Sequence, residues 1–181
     1  MYISMVALNA IDSYDQHQGI WSLFPDMPER KRDHLFRVEE HSNSKTAVVL
    51  LQSSTAPCSS DKAKVLQSKP YNPHVEQGGV YKFKVLANPT KCLSKGKKVI
   101  EIKDEAEQVQ WLQRKLNGAN VTVTAMESKL VPSRKSFMSR FVRFEGVLQV
   151  NNTEQIYSAL VMGIGRKKHA GAGLLSLAKS N

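Results

Sequence analysis

Five histidines are the side chains of this 181-residue chain best suited to proton transfer near neutral pH: His17, His34, His41, His74 and His169. No two of them have the spacing of a metal-binding pair, so we predict neither a metal site nor a cofactor. His17 stands out because Tyr14 lies three residues before it, and both side chains share one face if a helix has begun there. The apolar stripe of that segment begins only at Ile20, so we do not expect His17 in the core. The plain alternative is a surface histidine at a helix N-terminus.

A glycine-rich loop near the C-terminus is the second chemical feature. Gly163-Ile-Gly165 and Gly171-Ala-Gly173 bracket five residues that include His169 and three cations, namely Arg166, Lys167 and Lys168. Successive backbone N–H groups in such a turn bind anions, and glycine lets a ligand approach the backbone. The loop therefore suits a polyanion. The alternative is a helix C-cap at Gly163 followed by a solvated basic turn.

A basic segment precedes this loop. Five cations and no acids occupy the fifteen residues from Lys129 to Arg143, and the cations are Lys129, Arg134, Lys135, Arg140 and Arg143. Phe137 and Phe141 are interleaved with them. Phosphate contacts dominate nucleic-acid affinity, and duplex RNA is recognised mainly by its shape. A basic hairpin with aromatic members is therefore predicted to bind RNA, and a solubilising hairpin is the alternative.

Charge and composition favour a nucleic acid as partner. The formal net charge is +10, but residues 1–90 hold 10 Lys/Arg against 9 Asp/Glu, whereas residues 91–181 hold 16 against 7. The polyanion is therefore expected on the second half. Cys58 and Cys92 have no metal spacing and indicate a reducing compartment, and no apolar run reaches the ~20 residues of a membrane span. We expect a cytoplasmic protein.

Hydrophobic periodicity predicts the same order of elements twice, β-α-β-β-α-β. In the first half the predicted segments are a strand over 2–8, a helix over 15–24, a hairpin of 34–39 with 46–52, a short helix from Ser59 or Ser60 to 68, and a strand over 69–77. In the second half they are a strand over 81–85, a helix over 104–116, strands over 121–125 and 141–150, a helix from Asn151 or Asn152 to 162, and a strand after the glycine loop. Trp21 and Trp111 are expected in the core.

This order predicts an α+β fold of tandem ferredoxin-like (βαββαβ) units. The segment from Pro70 to Gly79, with two prolines and a Gly-Gly, is the expected junction. We place an N-terminal domain with His17 at residues 1–77, and a C-terminal domain with the basic hairpin and the glycine loop at 78–181.

Short segments along the whole chain resemble the RAMP superfamily of CRISPR proteins, and more closely its CasE branch, the CRISPR RNA-processing endoribonucleases of type I-E Cascade. The paired-glycine loop is the C-terminal signature of that superfamily. The other segments are HQGIWSLFP at 17–25, VLLQS at 49–53, ANPTK at 87–91, AEQVQWLQRKL at 106–116, FEGVLQVNN at 144–152 and GLLSLA at 173–178. The chain departs from the family pattern at Ala172, where relatives often carry a larger apolar residue or cysteine, and in its short length.

The resemblance implies a metal-independent endoribonuclease that cleaves CRISPR repeat stem-loops. The 2′-hydroxyl attacks its own phosphate, leaving a 2′,3′-cyclic phosphate and a 5′-hydroxyl, and the protein stays on the hairpin as a subunit of Cascade, next to the backbone subunit. Tyr14 and His17 occupy the family's catalytic positions, and the basic hairpin corresponds to a region that contacts the repeat. His17 is expected to act as general acid or base, and Tyr14 to position the 2′-hydroxyl or to share the proton transfer.

The glycine loop completes the predicted site. We expect Gly165 and the side chains from Arg166 to His169 to contact RNA, with a part in proton transfer as the alternative for His169. No cation lies between His17 and Arg30, so the transition-state charge has to be met from elsewhere, and the loop over 166–168 is the candidate, provided that the two halves face each other.

Two other functions compete with this one. A RAMP-type scaffold would bind the guide RNA without cutting it, and the presence of His17 with Tyr14 argues against it. A basic ribosome-associated protein would explain the charge, but neither the paired glycines nor the His17 segment.

Overall fold

The computed structural model of the chain describes residues 1–10, 12–26, 29, 31–43, 45–93, 98–132 and 138–180. Its strands are β1 (Tyr2–Asn9), β2 (His34–Asn43), β3 (Thr46–Ser53), β4 (Ala63–Pro70), β5 (Val80–Ala87), β6 (Thr90–Cys92), β7 (Val99–Glu101), β8 (Ala119–Pro132), β9 (Met138–Val150) and β10 (Leu175–Lys179). Its helices are α1 (Ser13–Trp21), α2 (Glu105–Lys115) and α3 (Thr153–Met162), and a 3₁₀ turn covers Lys168–Ala170. Within these ranges no helix is long and apolar enough to cross a membrane.

The first sheet, as far as the structure describes it, has four strands in the order β2-β3-β1-β4, and neighbouring strands are antiparallel. Leu8 of β1 and Ile20 of α1 are both fully buried, so α1 covers one face of this sheet. The approach is close, because a Cβ on Gly19 would lie 3.2 Å from Leu8 Cδ2. The helix predicted over 15–24 is confirmed, although it ends earlier, at Trp21.

The short helix predicted over 59–68 is wrong, and so is the strand predicted over 69–77. Strand β4 lies here instead and pairs with β1 at the edge of the sheet. The serine hydroxyls do accept backbone amides, but these belong to a turn that leads into the strand. The amide of Val65, for example, donates to Ser59 Oγ over 2.9 Å. Serine hydroxyls satisfy turns as readily as helix N-termini, and here the turn is the outcome.

The second sheet has the order β10-β5-β9-β8 among the described strands, again antiparallel, with β6 and β7 forming a separate small hairpin. Helices α2 and α3 pack on one face of it. Val85 of β5, Leu112 of α2 and Leu160 of α3 are all at most 1% exposed and belong to one core cluster. The strands and helices predicted for this half are confirmed.

Local capping explains why α2 and α3 begin where the sequence predicts. Asp104 Oδ1 accepts the amide of Glu107 over 2.8 Å, and Asn152 Oδ1 accepts the amide of Gln155 over 3.0 Å. Each cap satisfies one of the backbone donors that a helix N-terminus leaves free.

Both sheets therefore carry their four strands in the same spatial order, which is that of the ferredoxin-like βαββαβ unit. In the first unit a turn and edge strand β4 follow the β2–β3 hairpin directly, where the second helix would stand. The predicted α+β class with tandem ferredoxin-like units is confirmed.

The face of the first sheet opposite α1 packs against the second half of the chain. Buried Arg37 of β2 donates from Nη1 to the carbonyl oxygens of Lys84 and Leu174, each over 3.1 Å. Gln52 Nε2 of β3 donates to the carbonyl of Leu160 over 2.8 Å. These contacts bring the loop that follows α3 to the first sheet and to α1.

Candidate functional site

Helix α1 presents Tyr14 and His17 away from the core. Asp12 is the N-cap, and its carboxylate accepts the amides of Tyr14 over 2.8 Å and of Asp15 over 2.9 Å. The buried residues of α1 are Gln16, Gly19 and Ile20, whereas Tyr14 is 42% exposed and His17 only partly buried. The prediction that His17 lies outside the core is confirmed.

The glycine-rich loop depends on left-handed backbone at each of its glycines. Gly163, Gly165, Gly171 and Gly173 have φ values of 68°, 71°, 84° and 93°. Gly163 is also the C-cap of α3, so the helix-cap interpretation is correct for that residue. The cap and the functional loop are compatible, because the cap fixes where the loop begins.

Part of the loop uses its own backbone amides. The amides of Ala170, Gly171 and Gly173 donate to backbone carbonyls over 2.7 to 3.3 Å. These groups are therefore unavailable to an anion, and the predicted concavity of N–H groups does not extend over the second glycine pair. Any contact with a polyanion must come from the first part of the loop and from its side chains.

The three cations of the loop differ in their freedom. Arg166 is exposed and Lys167 partly buried. Lys168 is tied down, since its Nζ donates to the carbonyl of Met162 over 2.7 Å at the end of α3. Arg166 and Lys167 are thus the side chains better placed to reach a ligand, whereas Lys168 also closes the loop onto the helix.

The loop lies against α1, so the two halves of the predicted site face each other. The rings of His17 and His169 have centroids 6.4 Å apart and planes at 89°. These residues are remote in sequence, and the packing of the second half on the first sheet brings them together. His169 itself is exposed.

A row of rings supports His17 from the side of the core. Trp21 meets His17 edge to face with centroids 6.1 Å apart, and meets His34 at 5.1 Å. Phe24 stacks on His34 at 5.4 Å with an interplanar angle of 19°.

Trp21 is only partly buried, although it was expected in the core, whereas Trp111 is 4% exposed, as predicted.

Burial and nearby cations favour the neutral form of both histidines. Burial and the charge of Arg32 lower the pKa of His17, and contact with the backbone of His169 opposes them in part. Partial burial, Arg32, Lys167 and His17 all lower the pKa of His169. Each imidazole is therefore able to accept a proton near neutral pH.

Arg32 is the site residue that the sequence analysis missed. It lies in the segment just before β2, and its charge also lowers the pKa of Lys168, after burial. The run Arg30-Lys31-Arg32 was the available signal, but sequence alone does not place a connecting segment beside a loop more than a hundred residues away. Arg32 supplies the cation that was missing near His17.

The basic hairpin is less uniform than predicted. Arg140 and Arg143 are three positions apart along β9, so their side chains leave opposite faces of the sheet. Arg140 Nη1 donates to Ser128 Oγ over 2.8 Å. Arg143 instead lies near buried Arg37, and after burial its charge helps to lower the pKa of Arg37. Lys129 is exposed on β8.

Other members of the hairpin carry less weight than the sequence suggested. Phe141 is 2% exposed and packs with Leu86 and Ala172, so it is no stacking platform for a base. Arg134, Lys135 and Phe137 lie outside the described residues.

The arrangement around α1 and the loop can move protons and stabilise negative charge. Two imidazoles that favour their neutral form face each other, with Arg32 and Lys167 beside them. Among the side chains that the structure describes, no three His, Cys, Asp or Glu residues are grouped to hold a metal ion.

Comparison with known proteins identifies relatives along nearly the whole chain. A family model described as CRISPR associated protein matches residues 2–179. The chain is 36% identical over 197 residues to the CRISPR system Cascade subunit CasE of Escherichia coli, a match that covers 98% of this chain and 99% of that protein. It is 29% identical over 188 residues to the CRISPR-associated endoribonuclease Cse3 of Thermus thermophilus, covering 91% of this chain and 89% of that one.

A solved structure extends the similarity to the fold. Thermus thermophilus Cse3 bound to an RNA that represents a pre-cleavage complex matches with a TM-score of 0.81 at 27% identity, over 98% of this chain and all 100% of the other.

Proposed function

The chain belongs to the family of CRISPR-associated proteins, and from that premise we propose that it is a metal-independent endoribonuclease which cleaves CRISPR repeat stem-loops in precursor RNA. The names of its relatives support the class of activity, since one is an endoribonuclease and the other a Cascade subunit. The meeting of His17 with the basic glycine loop is the observation that carries the proposal.

The chemistry needs proton transfer and cations, and this site offers both. The 2′-hydroxyl attacks the adjacent phosphorus, a base removes its proton, an acid protonates the leaving 5′-oxygen, and cations stabilise the extra charge on the phosphorane. His17 is one of the two proton-transfer groups, and Tyr14, one helical turn earlier, positions the 2′-hydroxyl or shares in the transfer. Arg32 and Lys167 supply charge, and the products are a 2′,3′-cyclic phosphate and a 5′-hydroxyl.

Two surfaces bind the RNA in this account. The glycine loop, from Gly165 to His169, contacts the phosphate at the cut, with Arg166 and Lys167 more accessible than Lys168. The basic hairpin contacts the stem through Lys129, Arg134, Lys135, Arg140 and Arg143. Because Arg140 and Arg143 leave opposite faces of the sheet, Arg140 and Lys129 are the stronger candidates among the described members.

The domain division follows the same logic. Residues 1–77 form the N-terminal domain with His17, and residues 78–181 the C-terminal domain with both basic elements. The amide of Gly78 donates to the carbonyl of Val150 over 2.8 Å, which supports a boundary at this point.

After cleavage the protein stays on the repeat hairpin as a Cascade subunit and contacts the backbone subunit, in the cytoplasm. A second candidate function is a scaffold that binds the guide RNA without cutting it. Its one support is that several loop amides donate to backbone carbonyls and so cannot stabilise the charge of a transition state. The scaffold gives no role to the pair of histidines that meets at the basic loop.

Product analysis tests the proposal. A repeat stem-loop RNA is incubated with the protein in EDTA, and the ends of the fragments are identified by mass and by enzymatic 5′ labelling. We expect cleavage at one position, a cyclic phosphate on the upstream fragment, and no reaction when that nucleotide is 2′-deoxy. Tight binding without cleavage would leave the scaffold, and activity that requires added Mg²⁺ would contradict the mechanism.

A further inference from the structure

His169 lies where a second proton-transfer group is needed. Its ring is exposed and stands almost perpendicular to that of His17, with centroids 6.4 Å apart. Nitrogens of two neighbouring imidazoles can each make a hydrogen bond of about 2.8 Å to a different oxygen of one phosphate group. A phosphodiester that lies across the edges of the two rings would therefore contact both imidazoles.

The backbone holds His169 in place. The 3₁₀ turn that carries it is flanked by Lys167 at φ 61° and Gly171 at φ 84°. A Cβ on Gly171 would lie 3.1 Å from Cε2 of Phe36, a fully buried residue of the first sheet. The turn is thus packed on the sheet that also carries α1, which fixes the distance between the histidines. A left-handed lysine beside it is the kind of backbone strain that concentrates at functional sites.

We propose that His169 is a second catalytic residue, which takes the proton of the 2′-hydroxyl while His17 gives a proton to the leaving 5′-oxygen. This rests on the proposed endoribonuclease function. The P–O2′ bond forms as the P–O5′ bond breaks, and the electron pair of the broken bond goes to O5′ with the proton from His17. Solvent then returns a proton to His17 and removes one from His169.

The surroundings of the two histidines agree with these roles. Partial burial lowers the pKa of His169, and the charges of Arg32, of Lys167 in its own loop and of His17 on α1 lower it further. Burial and Arg32 lower the pKa of His17 too, but contact with the backbone of His169 raises it in part. The neutral form that a base needs is thus favoured in His169, and the backbone contact favours the protonated form that an acid needs in His17. Tyr14, three residues before His17, is a further titratable side chain of α1.

The experiment separates the acid from the base. Cleavage rates are measured from pH 4.5 to 8.5 under single-turnover conditions at subsaturating protein, so that the profile reports the free protein. One RNA is the ordinary repeat stem-loop, and the other carries sulfur in place of the 5′-bridging oxygen at the mapped cut. A thiolate leaves without being protonated, so this RNA does not need the acid. The variants are His169→Asn, His17→Asn and, as matched control, His74→Asn, an exposed histidine outside the site.

We expect His169→Asn to slow both RNAs by about 10²- to 10⁴-fold and to remove the fall in rate on the acid side of the profile. His17→Asn should slow the oxygen RNA by a similar factor, and the sulfur RNA at least ~10-fold less than that. His74→Asn should match the unmutated protein on both RNAs. Binding of a 2′-deoxy RNA and the Tm show that each variant is folded.

Two results would overturn the inference. If His169→Asn weakens binding of the 2′-deoxy RNA by the same factor as cleavage and leaves the acid limb in place, His169 is a phosphate contact only. If His169→Asn cleaves normally, it has no part in the reaction. A failure of the unmutated protein to cleave in EDTA would instead remove the proposed function itself.

Discussion

A Cβ atom on Gly165 would lie 2.9 Å from Cη2 of Trp111, a nearly buried residue of α2. The loop therefore passes so close to the second core that only glycine fits, and this contact sets where the loop meets α1. The core around Trp111 in the second half of the chain thus positions the loop cations beside His17 of the first half.

Gly165→Ala should displace the loop and reduce both RNA binding and cleavage. It introduces the steric contact with Trp111 and places a side chain at φ 71°, which costs about 1–2 kcal/mol for an L-residue. Gly78→Ala is the matched control, because Gly78 has φ 75° but no atom within 4 Å of the added Cβ. Chemical denaturation should show similar destabilisation from the backbone in both variants, with loss of RNA cleavage only in the first. Equal cleavage by the two would show that the loop position is unimportant.

Lys167→Ala should weaken RNA binding in a salt-dependent manner. Each phosphate contact that is lost lowers the slope of log K against log salt concentration by about 0.7 to 0.9. Filter binding of a 2′-deoxy repeat RNA from 50 to 300 mM salt measures this slope. Lys64→Ala, on the edge strand β4, is the control because it removes the same charge at an exposed position away from the loop. A slope that changes by the same amount in both variants would mean that net charge alone is responsible.

Glu39→Gln should destabilise the packing of the two sheets. Glu39 pairs with buried Arg37 over 2.6 Å and with Lys84 over 2.8 Å. Burial raises the pKa of Glu39, but the contacts with Lys84 and Arg37 outweigh it and the net pKa is lowered. The stabilising effect of the Glu39 carboxylate is therefore fully present above the pKa that Glu39 has in the unfolded chain. It is lost as the pH falls through the lower pKa that Glu39 has in the folded protein.

Urea denaturation at pH 7 should show a loss of about 3 kcal/mol in the free energy of unfolding, because the variant leaves the charge of buried Arg37 without its carboxylate partner. The same change at Glu76, whose pair with Lys179 is exposed, should cost much less. Equal losses in the two variants would contradict the role of the Arg37–Glu39 pair.

Arg32→Ala should raise the pKa of both histidines of the site. Arg32 lowers the pKa of His17 and of His169, after burial in each case, and Arg32→Lys keeps the charge. NMR titration of the imidazole protons should show upward shifts in Arg32→Ala and smaller ones in Arg32→Lys. Because the pKa values of His17 and His169 are lowered in the folded protein, the protein loses stability as the pH falls below about 6.5. Arg32→Ala should therefore lose less stability in acid than the unmutated protein does. Unchanged titration curves would place Arg32 away from the pair.

Sequence reasoning succeeded where the cause of a structure is local. Asp104 and Asn152 cap the helices that they were expected to cap, and the apolar stripe of α2 is buried as its spacing requires. It failed at β4, an edge strand whose residues are mostly exposed and so show no alternation, behind two serines that serve a turn as well as a helix. Edge strands are held by backbone pairing, which leaves little trace in the side-chain pattern.

The candidate site was predictable only in part, for a related reason. Tyr14, His17 and the loop cations each belong to a short motif, so sequence could propose them separately. Arg32 belongs to no motif, and its place beside the loop follows from tertiary packing. Strand β9 is a case in which the sequence does suffice. Once the strand is placed, its period of two puts Arg140 and Arg143 on opposite faces of the sheet.

The central claim is that His17 transfers a proton in a reaction that needs no metal. We would measure single-turnover cleavage of a repeat stem-loop in EDTA by the unmutated protein and by His17→Ala, with the affinity for the 2′-deoxy RNA measured in parallel. The account predicts that the rate falls by about 10²- to 10⁴-fold while the affinity changes by less than about twofold. Undiminished cleavage by His17→Ala, or cleavage abolished by EDTA in the unmutated protein, would contradict it.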